Sequence, residues 1–486
     1  MGSGPVDVAV VGSGPNGLAA AVTMARAGLS VRVFEAAGSA GGGSRSAELT
    51  LPGHLHDVCS AVHPMALASP FFRAFGLSQR VEFVTPEISY AQVLEGGRAG
   101  LAWRDLDRTV AGLGRDGAAW RRLFAPLVRQ QDAVVDFTMS PMFRVPGHPL
   151  AAAAVGLRAL ATARRADGGF ATDEAGGLLA GVSAHSIGRV GSLGARGTGL
   201  LLGALAHTEG GWPIPVGGSQ AIVDALVADL RANGGEVVTE THVGSLQELP
   251  SAHAVLLDVT PRALDRIGGD LLPAGYRSAL RQFRYGDAAS KVDFVLDGPV
   301  PWANPEVAGA GTVHIGGSAG EVDAGERDVA RGRHPDKPYV LVSQPSAFDP
   351  SRAPAGHTVL WAYTHVPRAS GRDMTEPVTA RIEEFAPGFR DRIVASAAIP
   401  ASALQLYNAN YVGGDIASGA ATFGQLLARP VLSGSPWHTP LDGVYLCSAS
   451  TSPGPGVHGM AGWQAAKAAL RDVFGITEPP SLAPAT

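Results

Sequence analysis

Val6-Asp7-Val8-Ala9-Val10-Val11-Gly12-Ser13-Gly14-Pro15-Asn16-Gly17 is the stretch that decides the fold. A β-branched apolar run enters a Gly-x-Gly-x-x-Gly turn. Leu18 to Ala27 then reads as a helix, and Leu29 to Phe34 as a second buried strand ending at Glu35. Strand, glycine turn, helix, strand and acid in that order make a βαβ unit with the dinucleotide fingerprint. Gly12 permits the tight turn, Gly14 lets the backbone approach a pyrophosphate, and Gly17 lets helix and strand pack closely. The helix N-terminus adds unpaired N–H groups and the positive end of a dipole. Glu35 is placed to accept hydrogen bonds from both hydroxyls of an adenosine ribose. A carboxylate there disfavours a 2′-phosphate, so NADP is not the expected occupant.

At 486 residues the chain exceeds one ordinary core, and two interleaved domains are expected. A net charge of −5 gives no reason to expect a nucleic-acid partner. Cys59 and Cys447 lie far apart and in no Cys-x-x-Cys pair, which argues against a disulfide framework or a zinc site and fits a reducing cytoplasm. With Val6 already opening the first strand, no secretory signal is expected. The longest uncharged apolar stretches fall short of the roughly 18 to 20 residues that span a bilayer.

Outward from the first unit, Gly41-Gly42-Gly43-Ser44-Arg45 is a second backbone-lined turn with a cation beside it, suited to clamping a pyrophosphate. His54 and His56 lack a third ligand at a convincing spacing, so no metal is expected. His63 is placed near the reactive end of a bound cofactor by the usual path of the loop after such a turn. Residues 100–208 read as helices joined by Pro and Gly turns. One of them, Leu150 to Arg165, carries arginines beside an alanine-rich face; it suits a membrane surface, the cover of a lipophilic tunnel, or simple packing on a neighbouring helix. Residues 209–270 return to the first domain through Pro215-Val216-Gly217-Gly218, a helix (Ala221 to Asn233) and two strands. Four alternating stretches between Ser290 and His365 predict an antiparallel sheet. Tyr407 to Asp415 is a polar–aromatic loop. The strand before Cys447 feeds Pro453-Gly454-Pro455-Gly456-Val457-His458-Gly459-Met460 and a last helix, Trp463 to Val473. That places a second helix N-terminus at a strand's C-terminal end, where open α/β sheets bind ligands.

The glycine fingerprint with Glu35, the turn before Arg45, the Pro-x-Gly-Gly element and the closing Pro-Gly-x-Gly-Val-x-Gly-Met loop together resemble the phytoene desaturase-like family. These are FAD-dependent oxidoreductases related to flavin amine oxidases. Asn408-Ala409-Asn410-Tyr411-Val412-Gly413-Gly414-Asp415 is similar to the pyridine nucleotide-disulphide oxidoreductase-domain branch of that family. The resemblance implies a Rossmann-type FAD-binding domain (1–69, 209–270 and 433–476). It is interleaved with an α+β substrate domain (70–208 and 271–432), built on an antiparallel sheet with a helical subdomain, and a disordered tail (477–486) follows. It implies that Gly12, Gly14, Pro15, Asn16 and Gly17 hold the pyrophosphate end, and Glu35 with Ala36 the adenosine ribose. Gly42, Gly43 and Arg45 then line the pyrophosphate and ribityl side, and Val243 meets the adenine. Ser450, Gly459 and Met460 close around the flavin, the last two aiming N–H groups at its pyrimidine edge. Ser448, Ser452 and Pro455 depart from residues common in the family, which loosens any inference from carotenoid substrates.

Gly309-Ala310-Gly311 lacks a third glycine and a following helix, so only one dinucleotide site is expected. Electrons would then come from the substrate and leave to oxygen, a quinone or a carrier. The leading expectation is dehydrogenation of a small lipophilic substrate by hydride transfer to flavin N5. His63, Tyr407 and His458 are acid–base candidates, and Asn410 and Tyr411 positioning groups. The alternatives are a flavin amine oxidase, a redox-neutral isomerase or cyclase, and a non-enzymatic FAD-binding partner protein.

Overall fold

In the computed structural model, which describes residues 4–484, Val6–Val11 is the central strand of a five-stranded sheet. The order is Val444–Leu446, Ala252–Leu257, Val6–Val11, Val31–Phe34, Glu236–Val238, and every pairing is parallel. Such strands are covered on both faces, which is why they read as unbroken apolar runs. The first helix, Pro15–Arg26, starts with Pro at its first turn, where the missing N–H costs nothing, and it is buried over nearly its whole length. Against it packs the last helix, Met460–Phe474. A Cβ at Gly462 would collide with the Asn16 carbonyl, so a side chain there would force the two helices apart.

A second sheet has seven strands in the order Ile393–Ile399, Ala288–Leu296, Thr358–Val366, Val340–Ser343, Ala310–Ile315, Ile88–Leu94, Arg98–Trp103. Its pairings are antiparallel except for Ala310–Ile315 with Ile88–Leu94, which run parallel. The hairpin Ile88–Trp103, for which the sequence predicts no strands, runs just into the region read as helical from residue 100. The reason is local. Ile88–Leu94 is buried on both faces, so Ser89 and Gln92 break the alternation that marks a strand. The stretch read as one helix from Gly117 to Phe137 is two, Gly117–Arg129 and Gln131–Thr138. With Pro149–Thr162, Asp173–Ala184 and Leu193–Ala206 they form the helical layer beside this sheet. Among the described residues no helix is long and apolar enough to cross a membrane.

A buried ion cluster ties the turn before strand Thr358–Val366 to the segments around Asp57 and Pro215. Arg352, fully buried, donates to Asp57 at 2.9 Å, to Asp349 at 2.7 Å and to the Pro215 carbonyl at 3.0 Å. Asp57 in turn accepts from Ser46 Oγ and from the Ser219 N–H. The Arg352 guanidinium, with these hydrogen bonds, holds the Asp57 carboxyl below its usual range despite complete burial.

Residues 477–484, expected to be disordered, carry no helix or strand, yet Leu482 is only 3% exposed and joins the main core. Leu482→Ala is expected to destabilise the fold by about 2–3 kcal/mol, read as a lowered midpoint in urea denaturation; a midpoint unchanged from wild type would show the tail to be unanchored.

Candidate functional site

One elongated cavity of about 1020 Å³ runs from the glycine turn to the face of the seven-stranded sheet. That is at or above the upper end of the roughly 300–1,000 Å³ usual for ligand pockets. Its near end is lined by Gly12, Gly14, Pro15, Asn16, Glu35, Ala36, Gly42, Gly43, Arg45 and Val243. These are the residues expected at a dinucleotide. The space between them exists because two side chains are missing. A Cβ at Gly14 would lie 2.7 Å from an Asp258 carboxylate oxygen, and one at Gly42 would lie 3.0 Å from the Gly14 Cα. Asn16 Oδ1 and Ser44 Oγ, both buried at this end, have no protein partner. A cradle of glycines with unused polar atoms fits a dinucleotide.

The near end also departs from expectation. Glu35 is saturated by protein donors: the Ser13 N–H at 3.0 Å, Ser13 Oγ, the Ala37 N–H at 2.9 Å and Arg45 at 3.1 Å. Arg45, expected to clamp a pyrophosphate, also donates to the Ser39 carbonyl and lies beside the Tyr407 ring. Its charge is paired with Glu35, which satisfies a buried arginine at this end of the cavity. Gly17 does not reach the cavity wall. A Cβ there would strike the Gly12 carbonyl, so its role is close packing, and its N–H donates to Asp258 at 3.0 Å.

Asp258, overlooked in the sequence, ends the strand Ala252–Leu257 directly opposite the glycine turn. Burial pushes its carboxyl up to about 7, against the opposing hydrogen bonds from Gly17 and Gly14, and neighbouring Glu35 pushes the same way. The signal was an acid following four apolar residues at a strand's end, where ligands bind in such sheets.

The polar–aromatic loop sits along the middle of the cavity. Asn410 spans the turn after Ala252–Leu257: its amide donates to the Asp258 carbonyl at 2.9 Å and accepts from the Thr260 N–H at 3.1 Å. It therefore positions the cradle. The Tyr411 phenol packs against Gly43 and shares a hydrogen bond with the Cys59 thiol; burial holds its hydroxyl well above its usual range. Tyr407 lines the cavity beside the Arg45 guanidinium, and burial raises its hydroxyl above the usual range.

The closing loop reaches the cavity through Ser452, Pro455, Gly456 and Val457, whereas Ser450, His458, Gly459 and Met460 do not. His458 is a brace within the loop: Nδ1 accepts from the Met460 N–H at 3.0 Å and Nε2 meets the Gly454 carbonyl at 3.1 Å. The Met460 N–H expected at a ligand is thus already used. Ser450 Oγ donates to the Ser418 carbonyl behind the wall. Gly459 has no room for a Cβ against Phe71 and Ala19, so it too serves packing. Loops rich in Gly and Pro give no period from which such orientation can be read.

At the far end His63, Trp212, His185, Thr312, Trp361 and Tyr363 come together. Of these only His63 was expected. Its Nε2 lies 2.7 Å from Ser219 Oγ, which itself donates to the Ser60 carbonyl. A hydroxyl has one proton, so His63 donates through Nε2 and keeps Nδ1 bare. Burial lowers His63 to about 4 and His185 to about 3.

The NAD(P)-binding Rossmann-like domain family matches residues 10–75. Pyridine nucleotide-disulfide oxidoreductase domain-containing protein 2 of Mus musculus is 27% identical over 56% of this chain and 53% of its own length. The chain thus spans about half the length of the curated relatives it matches. Among solved structures, a cofactor-binding redesign of putrescine oxidase superposes with a TM-score of 0.60 at 18% identity, covering 97% of this chain and 99% of that one. Cyclohexylamine oxidase from Brevibacterium oxydans gives 0.59 at 16% identity, covering 96% and 99%. The chain has the mixed α/β fold of these oxidases, with a Rossmann-like domain and a second sheet domain.

His63, His185, His207 and His458 are buried and neutral, lowered to about 4, 3, 4 and 4. The unfolded chain binds these protons first, so their contribution to stability is present above about pH 6.5 and is lost as pH falls toward 4. Asp258, raised to about 7, acts oppositely: its neutral form favours the fold at low pH, and that advantage is lost between about pH 4 and 7. Four groups outweigh one, so the thermal midpoint is expected to fall as pH is lowered from about 6.5 to 4.5. Asp258→Asn should flatten the opposing part and steepen the fall.

Proposed function

We propose that this chain binds FAD along the cavity and uses it to dehydrogenate a small lipophilic substrate held at the far end. The observation that carries the reading is the continuity of one cavity from the glycine cradle to an apolar, aromatic chamber. The oxidoreductase named in mouse and the two oxidase folds support the same class of chemistry. The pattern also supports the phytoene desaturase-like reading, which rests on the motifs alone. Free Cys59 and Cys447 favour the cytoplasm.

Gly12, Gly14 and Gly42 leave room for the pyrophosphate, with Asn16 and Ser44 offering unused polar atoms. The Glu35–Arg45 pair faces the adenosine side, where ribose hydroxyls would compete with Ser13 for the carboxylate. Bound flavin would accept a hydride from a substrate carbon, and oxygen or a quinone would then reoxidise it. The protein's own part is to orient the substrate, exclude water and receive one proton. Burial keeps the Tyr407 hydroxyl protonated, so Tyr407 serves to orient the substrate by donating a hydrogen bond, and the proton falls to the bare Nδ1 of His63. Lowered to about 4, His63 is a weak base, but at neutral pH it is uncharged with that nitrogen free to accept.

Amine oxidation is the second reading, favoured by the likeness to putrescine and cyclohexylamine oxidases and by the edge-to-face pair Trp361–Tyr363 with centroids 5.1 Å apart.

Purified protein is expected to show oxidised-flavin absorbance that is released on denaturation as FAD. Gly14→Val, which would fill the cradle, is expected to abolish that absorbance while leaving a folded protein by circular dichroism. A colourless wild type that cannot be reconstituted with FAD would overturn the reading. Tyr407→Phe at full flavin occupancy should slow anaerobic flavin reduction by a productive substrate about 10²-fold; an unchanged rate would remove Tyr407 from orienting it.

A further inference from the structure

The face of the seven-stranded sheet that closes the far end is built in two rows. Strand register places Tyr90, Thr312, Ser343, Trp361 and Asp293 side by side across five strands. The next row on the same face is Gln92, His314, Leu341, Tyr363 and Lys291. Six polar atoms in these two rows are buried without a hydrogen-bond partner: Tyr90 Oη, Thr312 Oγ1, Ser343 Oγ, Trp361 Nε1, Gln92 Oε1 and His314 Nδ1. Other buried polar atoms of the sheet are paired only in part: Ser89 donates to the Ala206 carbonyl and Thr364 to the Tyr339 carbonyl, whereas Ser290 Oγ and His365 Nε2 also lack a partner. A buried polar atom left without a partner is costly, so the two on residues that line the cavity, Thr312 Oγ1 and Trp361 Nε1, mark a place that polar atoms of a ligand can complete. Thr312 and Trp361 open directly onto the cavity.

The charge of this surface is equally specific. Lys291 and Asp293 neutralise each other within the sheet, and His56 lies 3.3 Å from the same carboxylate. His185 and His314 face each other at 2.9 Å between Nε2 atoms, so between them they share one proton, and burial keeps both uncharged. Among the described lining residues the carboxylates are Glu35 and Asp258, both at the glycine cradle. Arg429, the cation on the cavity wall nearest the closing loop, is enclosed by the carbonyls of Ala417, Ser418, Gly419 and Ala449. A protonated amine entering the far chamber would lose its hydration and meet no counter-charge. A hydrocarbon would leave the polar row unpaired.

We infer that the far chamber selects an uncharged lipophilic molecule bearing a hydroxyl or carbonyl oxygen, docked on the Thr312–Trp361 row. Trp361 Nε1 can only donate, and Thr312 Oγ1 both donates and accepts, so together they match the two functions of an alcohol or the lone pairs of a carbonyl. The inference rests on the dehydrogenase reading for its chemistry, and it sets that reading apart from amine oxidation.

The test titrates the full-length protein, as purified, with octanol, octylamine and octane at neutral pH. Binding is read both by tryptophan fluorescence and by perturbation of any flavin band. Octanol is expected to bind at least about tenfold more tightly than octylamine or octane. Thr312→Val and Trp361→Phe are each expected to weaken octanol about three- to tenfold and to leave octane unchanged. Thr312→Ser, which keeps the hydroxyl, should retain wild-type affinity even if the valine variant proves unstable. Octylamine binding as tightly as octanol, or octanol affinity untouched in folded Thr312→Val and Trp361→Phe proteins, would overturn the inference. A protein without flavin that still prefers octanol would instead defeat the dehydrogenase reading and leave the chamber's selectivity standing.

Discussion

Everything around the cavity depends on the buried Arg352. The residue belongs to the second sheet's half of the chain, yet two of its three acceptors, Asp57 and the Pro215 carbonyl, belong to segments that frame the first. One planar guanidinium thus fixes three chain segments in a single geometry, a task for which lysine has no equivalent. Desolvating such a group is expensive, and breaking one partner from it is worse, about 3–5 kcal/mol in comparable buried pairs. The expense has a visible return. Asp57 holds the Ser219 N–H, and Ser219 Oγ orients His63 at the cavity wall, so the tautomer of one lining imidazole is set by an ion cluster outside the cavity. A scaffold that precise is what a reaction needs when the protein supplies position and the cofactor supplies reactivity.

The two ends of the cavity obey opposite electrostatic rules. At the cradle, acids and a cation are packed closely: Glu35 against Arg45, and Asp258 against the Gly17 N–H, with Asp258 half-protonated near neutrality. At the far end, charge is either cancelled inside the sheet or removed by burial. A ligand with a charged middle and a neutral reacting end is the kind of molecule that such a gradient accommodates. The gradient arises from topology. Parallel strands direct their C-terminal ends, with acids and glycines, toward one crevice, while the mixed sheet turns a broad face of side chains to the same space.

The residues that line the near end of the cavity were legible in the sequence, because the fingerprint is a constraint on backbone: only glycine lets Gly12, Gly14 and Gly42 stand where they do, and that requirement is visible in one dimension. It recovered the closing loop only partly. The loop does reach the cavity, but by Pro455, Gly456 and Val457 in place of Gly459 and Met460, since a run of Gly and Pro carries no periodicity to orient it. The far chamber was nearly invisible. Thr312, Trp361 and His185 are distant in sequence and meet only through sheet register, and the Ile88–Trp103 hairpin that completes that register was hidden by Ser89 and Gln92. The signal that was available, Glu95-Gly96-Gly97 between two apolar runs, is a hairpin turn with both glycines at positive φ.

The contact between the first and last helices has a temporal consequence. Pro15–Arg26 leaves the ribosome more than 400 residues before the surface that buries it, Met460–Phe474, and the outer strand Val444–Leu446. During synthesis the dinucleotide domain is therefore an incomplete sheet with a bare apolar helix, and the whole second domain emerges before it can close. Such a nascent chain exposes hydrophobic surface until Met460–Phe474 emerges, the condition under which aggregation competes with folding.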